Sequence, residues 1–86
     1  MVCYYVYLLQ SEIDQSWYIG YTNNLDKRIA KHNEGKSYYT KRKIPWKVIY
    51  YEASFDKSDA IAREKYLKTG MGRRFLKNRL KNQLNF

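Results

Sequence analysis

Two tyrosines, an arginine, a histidine and a glutamate carry the chemistry that this 86-residue chain could perform. Tyr7 closes the run Tyr5-Val6-Tyr7, and after ten intervening residues Tyr18 opens Tyr18-Ile19-Gly20. A hairpin between the two runs would set both phenols on one sheet face, near enough to act on a single group. Arg28 and His32 follow, one helical turn apart. Glu64 falls between Ala60 and Ile61 when a second helical pattern is viewed end-on. A carboxylate on that apolar stripe is costly to bury unless a charge compensates it. A metal ion would do so, or Arg28 reaching across, and structural salt bridges explain many such residues too.

The charge balance says what such a cluster would act on. Seventeen Lys and Arg against eight Asp and Glu leave +9 on one small chain. That field attracts phosphate, so nucleic acid is the expected partner. With 44% hydrophobic and 29% charged residues the composition is that of a folded domain. A single cysteine, Cys3, excludes an internal disulfide and a cysteine-built zinc site. The apolar run from Met1 to Leu9 is too short to span a bilayer and lacks the charged front end of a signal peptide. Neither a membrane association nor an obligate protein partner is expected, and the reducing cytoplasm is the expected compartment.

The elements that must position the cluster follow in order. Residues 3–9 read as a strand with Tyr5, Tyr7 and Leu9 on one face and Tyr4, Val6 and Leu8 on the other. A polar loop, 10–16, precedes a return strand, 17–21. Centring the hairpin near Glu12 and Ile13 puts Tyr7 opposite Tyr18 and Tyr5 opposite Gly20. Gly20 permits close approach of another group, or marks a bulge or the strand's end. Asn23 or Asn24 caps a helix over 25–33, and Gly35 closes it. On that helix Arg28 and His32 lie within about 60° of Leu25, at the border of the core; a solvated helix edge has the same spacing. Lys36, Tyr39, Lys41, Arg42 and Lys43 belong to a loop whose cations and tyrosines suit phosphates and bases, or simply a solvated surface. Lys31 adds to that basic surface.

A third strand, 46–52, leads to a helix capped by Asp56 and running to about Thr69, before Gly70. Leu76, Leu80 and Leu84 then recur every four residues in a basic amphipathic helix over about 71–84, which carries Arg73 and Arg74. One domain is expected over 1–86, with its core at about 2–68. The class is α+β: a small three-stranded antiparallel sheet flanked by helices, in the order β-β-α-β-α-α.

Tyr5-Val6-Tyr7, Tyr18-Ile19-Gly20, Arg28, His32 and Glu64, in this order, resemble the GIY-YIG nuclease superfamily, and most closely its small stand-alone bacterial members. Tyr5 stands where the family's name has glycine. The resemblance covers about Val2 to Lys68. It implies a DNA endonuclease that hydrolyses phosphodiester bonds with a divalent metal, Mg2+ or Mn2+, in DNA repair or processing. Position by position it implies Tyr7 and Tyr18 as the motif tyrosines, Arg28 as the phosphate-holding arginine, and Glu64 as the metal ligand. Either Tyr7 or His32 would take the proton from water. A DNA- or RNA-binding module that keeps the fold without catalysis is the alternative.

Overall fold

The computed structural model describes residues 2–84. Strands β1 (Tyr4–Ser11), β2 (Trp17–Thr22) and β3 (Trp46–Ser54) form one antiparallel sheet in the order β2-β1-β3. Helix α1 (Leu25–Asn33) follows β2, and α2 (Lys57–Leu67) and α3 (Gly70–Arg79) follow β3. The expected class, α+β with a three-stranded antiparallel sheet flanked by helices, is the one observed.

Alternation along β1 divides the interior in two. Val6 and Leu8 turn to the face covered by α2 and α3, where they pack with Ala60, Leu67, Leu76 and Leu80. Tyr7 and Leu9 turn to the other face and pack with Trp46 and, from α1, Leu25 and Ile29. The central strand is thus buried on both sides, as its aromatic and branched composition requires. The caps are those expected from side-chain chemistry. Asn24 Oδ1 accepts the Lys27 N–H at 3.1 Å, and Asp56 Oδ1 accepts those of Ser58 and Asp59 at 2.8 and 3.2 Å. Gly35, at φ +77°, sits in the left-handed region just past α1.

The hairpin register differs from the expected one. Tyr7 pairs with Gly20, Leu9 with Tyr18, and Tyr5 with Thr22. β1 runs on to Ser11, whose N–H bonds the Ser16 carbonyl at 2.9 Å, and Gln15 takes a positive φ of 63° to close the loop. That longer arm moves the hairpin centre by one residue and the pairing by two. An even shift keeps Tyr7 and Tyr18 on one face.

Both later helices also end earlier than their patterns suggest. Thr69 leaves α2 to become the N-cap of α3, its Oγ1 accepting the Gly72 N–H at 3.1 Å, so Gly70 begins a helix instead of ending one. A Cβ at Gly72 would collide with the Tyr66 carbonyl and Leu67 Cα, which is why the chain can fold back so tightly there. α3 ends at Arg79, not near 84. Leu80 is buried and Leu84 packs against the same core from the turns beyond. The four-residue leucine spacing therefore serves packing after the helix itself has stopped. No helix among the described residues is long and apolar enough to cross a membrane.

Candidate active site

Gly20 makes the site possible. It lies opposite Tyr7 on the neighbouring strand, and a Cβ there would stand 2.5 Å from the Tyr7 hydroxyl oxygen and 2.8 Å from Cζ. The missing side chain lets the Tyr7 ring lie across β2 towards α1. Of the two roles open to Gly20 from sequence, close approach is the one found.

Once there, the Tyr7 hydroxyl meets both polar residues of α1. Arg28 Nε donates to it at 3.3 Å, and His32 Nε2 lies 3.0 Å away. The other imidazole nitrogen, Nδ1, is 2.7 Å from Thr40 Oγ1. Tyr7, His32 and Thr40 are all buried. Tyr18 completes the enclosure, its ring 5.0 Å from that of His32 and 6.4 Å from that of Tyr7, and itself packed edge-on against Trp46. Arg28 is half-buried and opens outward, lining one depression with Tyr4, Tyr21 and Lys57 and an adjoining one with Lys27 and Lys31.

Burial and charge set the ionisation of both groups. Burial pushes the Tyr7 phenol up to about 12, against the bond and charge of Arg28, with Tyr18 and Glu64 adding to the rise. Burial, then the Arg28 charge, pulls His32 down from 6.5 to about 4. At pH 7 the imidazole is therefore neutral and the phenol protonated, and which of them donates in the bond between them is set by the imidazole tautomer. The neutral imidazole has a measurable consequence. The unfolded chain binds a proton at His32 near pH 6.5 and the folded chain only near pH 4, so stability falls as pH drops through that window. The full loss is about 3 kcal/mol. Urea midpoints measured from pH 7.5 to 5, above the range where most carboxylates titrate, should fall steadily below about pH 6.5. The chain has a single histidine, so a flat profile there would contradict a neutral buried His32.

Glu64 approaches from the other side. It is on α2, its side chain only 16% exposed, and it bears on the Tyr7 phenol electrostatically. Its contact is not Arg28, as one expectation had it, but Lys68, whose Nζ lies 3.1 Å from Oε2. Arg28 is engaged by Tyr7 instead, and Lys68, four residues on along the same chain, is the nearer cation. No group of three or more His, Cys, Asp or Glu gathers among the described residues. A single carboxylate that already holds a cation suits Mg2+ or Mn2+, which take most of their ligands from water and phosphate, and does not suit a closed zinc cage.

The basic residues do not form one cluster. Lys31 borders the Arg28 depression. Tyr39 is 80% exposed beside Tyr38, and Lys41 Nζ lies 5.1 Å from the Tyr38 ring centre. Arg42 is exposed, whereas Lys36 pairs with Glu34 at 3.0 Å and Lys43 with Asp14 at 3.1 Å. Such surface pairs are weak and easily exchanged for phosphate. Arg73 and Arg74 are exposed on α3, across the sheet from α1, with Arg73 5.8 Å above the Trp17 ring. They stand apart from the rest.

Sequence reasoning passed over Thr40. Its loop has no hydrophobic period to mark a buried position, and Thr40 sits between exposed neighbours. Its anchors are likewise invisible in sequence: the Thr40 carbonyl accepts Trp46 Nε1–H at 2.8 Å, and Asn33 clasps the Trp46 backbone at 2.7 and 3.0 Å.

Comparison with known proteins gives a consistent picture. Residues 3–82 match the sequence model of the GIY-YIG catalytic domain. A UPF0213 protein of Clostridium perfringens is 46% identical over 65 residues, covering 74% of this chain and 69% of that one. A UPF0213 protein of Staphylococcus haemolyticus is 44% identical over 70 residues, covering 80% and 84%. The solution NMR structure of a UPF0213 protein from Bacillus halodurans superposes with a TM-score of 0.54 at 35% identity, over 86% of this chain and 81% of that one.

Proposed function

The chain belongs to the GIY-YIG catalytic domain family, and from that premise we propose that it is an endonuclease hydrolysing phosphodiester bonds in DNA with Mg2+ or Mn2+. The observation that carries this is the Tyr7 hydroxyl, held between a permanent cation and a neutral imidazole.

Hydrolysis at phosphorus needs an activated water and stabilisation of charge on the phosphoryl oxygens. Arg28, charged at any working pH, holds the phosphate in the depression it lines. With its own proton aimed at His32 Nε2, the Tyr7 oxygen keeps a lone pair for a water brought in with the substrate on the Arg28 side. As that water attacks, one of its O–H bonds breaks and the proton moves to Tyr7. The original Tyr7 proton passes to Nε2, leaving an imidazolium behind, while the water oxygen bonds to phosphorus and the P–O bond to the departing strand end breaks, its electron pair going to the leaving oxygen. Tyr7 is then the relay and His32 the final base. An imidazolium is costly in the free protein, first because the site is buried and then because Arg28 stands beside it. The negative charge of a bound phosphate offsets the Arg28 contribution and favours the charged form, so the base gains strength when substrate is present. Glu64 would hold the metal, which supplies polarisation of the phosphate and stabilisation of the leaving oxygen.

A nucleic-acid-binding role without catalysis is the second reading, motivated by the +9 charge and the exposed tyrosines of the 36–43 loop. One panel separates the two: labelled duplex, branched and single-stranded DNA and RNA, with Mg2+ or Mn2+ and with chelator. Metal-dependent cutting of a DNA is expected. Salt-sensitive binding with every strand intact would favour the binding module.

A further inference from the structure

The hydrogen-bond chain does not end at His32, and its far end carries an assignment. We infer that Thr40 is a positioning residue that holds His32 in the Nδ1–H tautomer, with Nε2 turned unprotonated towards Tyr7. This rests on the proton relay proposed above, but its first test does not.

Each bond in the chain limits the next. Arg28 can only donate, so its Nε–H occupies one acceptor position on the Tyr7 oxygen. The phenol is protonated, and the polar atom standing 3.0 Å from it in the buried interior is Nε2. Donation from Tyr7 to Nε2 requires that nitrogen to be bare. A neutral imidazole then carries its hydrogen on Nδ1, 2.7 Å from Thr40 Oγ1, which accepts it. His32 and Thr40 are 0% exposed, so bulk water does not reach either partner. In the opposite tautomer Nε2–H would point at Tyr7 and the bare nitrogen, Nδ1, would face Thr40, leaving no acceptor on the Tyr7 side to receive a proton. Thr40 therefore has the place of the third member of a nucleophile–base–orienter series, with a hydroxyl where other sites use a carboxylate.

The fold holds Thr40 rigidly enough for this. Its carbonyl takes the Trp46 indole N–H at 2.8 Å, and its N–H meets the Ser37 carbonyl at 3.2 Å. Both backbone bonds survive replacement of the side chain, so the hydroxyl can be removed while the loop stays anchored. The same loop presents Tyr38 and Tyr39 to solvent. A residue that orients the base thus lies directly beside two aromatic rings available to nucleic acid.

The chain's single histidine makes the test unambiguous. Nitrogen-15 NMR of the ring at pH 7 in the free protein should show a protonated Nδ1 and a bare Nε2. In Thr40→Val the Nε2–H form should gain population, and Thr40→Ser should restore the wild-type pattern. Under Mn2+-dependent cleavage of a labelled DNA, Thr40→Val should lower kcat at least about tenfold with KM little changed. Thr40→Ser should recover most of that loss. A wild-type ring protonated at Nε2 would overturn the assignment without any variant having to fold. So would Thr40→Val keeping both the Nδ1–H form and full kcat. Were no cleavage found at all, the NMR result would still decide the tautomer, and only the relay would fall.

Discussion

Tyr7→Phe should cut DNA at least about a hundredfold more slowly than the wild type, the lower bound for losing a positioned proton-transfer group. The substitution keeps the ring and removes one oxygen. That oxygen accepts from Arg28 and faces His32 Nε2, so its loss breaks the water–Tyr7–His32 path at the middle. Arg28 remains to bind phosphate, and DNA affinity should change little. Stability should fall by about 1–3 kcal/mol, because a buried imidazole nitrogen loses its partner. Cleavage and affinity are therefore to be compared at a temperature where both proteins are folded, with folding checked by near-UV circular dichroism. Near-wild-type kcat in a folded Tyr7→Phe protein would remove Tyr7 from the chemistry and leave His32 without a route to water.

Glu64→Gln should show the larger loss, about a thousandfold or more, since several kcal/mol of transition-state stabilisation go with the metal. Shape is conserved and only charge is removed. Lys68 is half-exposed and can return to solvent, so stability should move by no more than about 1 kcal/mol. With one negative charge fewer near the phosphate, DNA should bind as well as before or better. Mn2+ titration should separate the explanations: weakened metal binding together with lost cleavage assigns Glu64 to the cation. Unchanged metal binding with lost cleavage would place the metal elsewhere and give Glu64 a different role.

The fold was legible wherever local chemistry decides it. Asn24, Asp56 and Gly35 mark helix ends because a cap needs a short acceptor or a left-handed residue, and α1 came out at 25–33 as expected. The two faces of β1 were readable from a period of two. What escaped was set by geometry over distance. The hairpin register depended on how far β1 runs past Leu9, which no residue in 10–16 announces, and so Tyr7 was set opposite Tyr18 instead of Gly20. The leucine spacing of 76, 80 and 84 is equally compatible with a helix and with turns that pack, and tertiary contact chose the turns after Arg79. The candidate residues themselves were selected by type and order. Their arrangement was not: Glu64 pairs with Lys68, His32 is sealed inside, and Thr40 emerged only when the loop was folded over Trp46.

The most direct measurement is reversible metal-dependent cutting by the intact protein. A labelled DNA that the protein binds is incubated with Mn2+ under single-turnover conditions, then with excess chelator, then with metal restored. Product should form, stop forming and form again, while Glu64→Gln yields none at equal bound DNA. Product that accumulates at the same rate through chelation, or an equal yield from Glu64→Gln, would contradict a metal-dependent nuclease built on these residues.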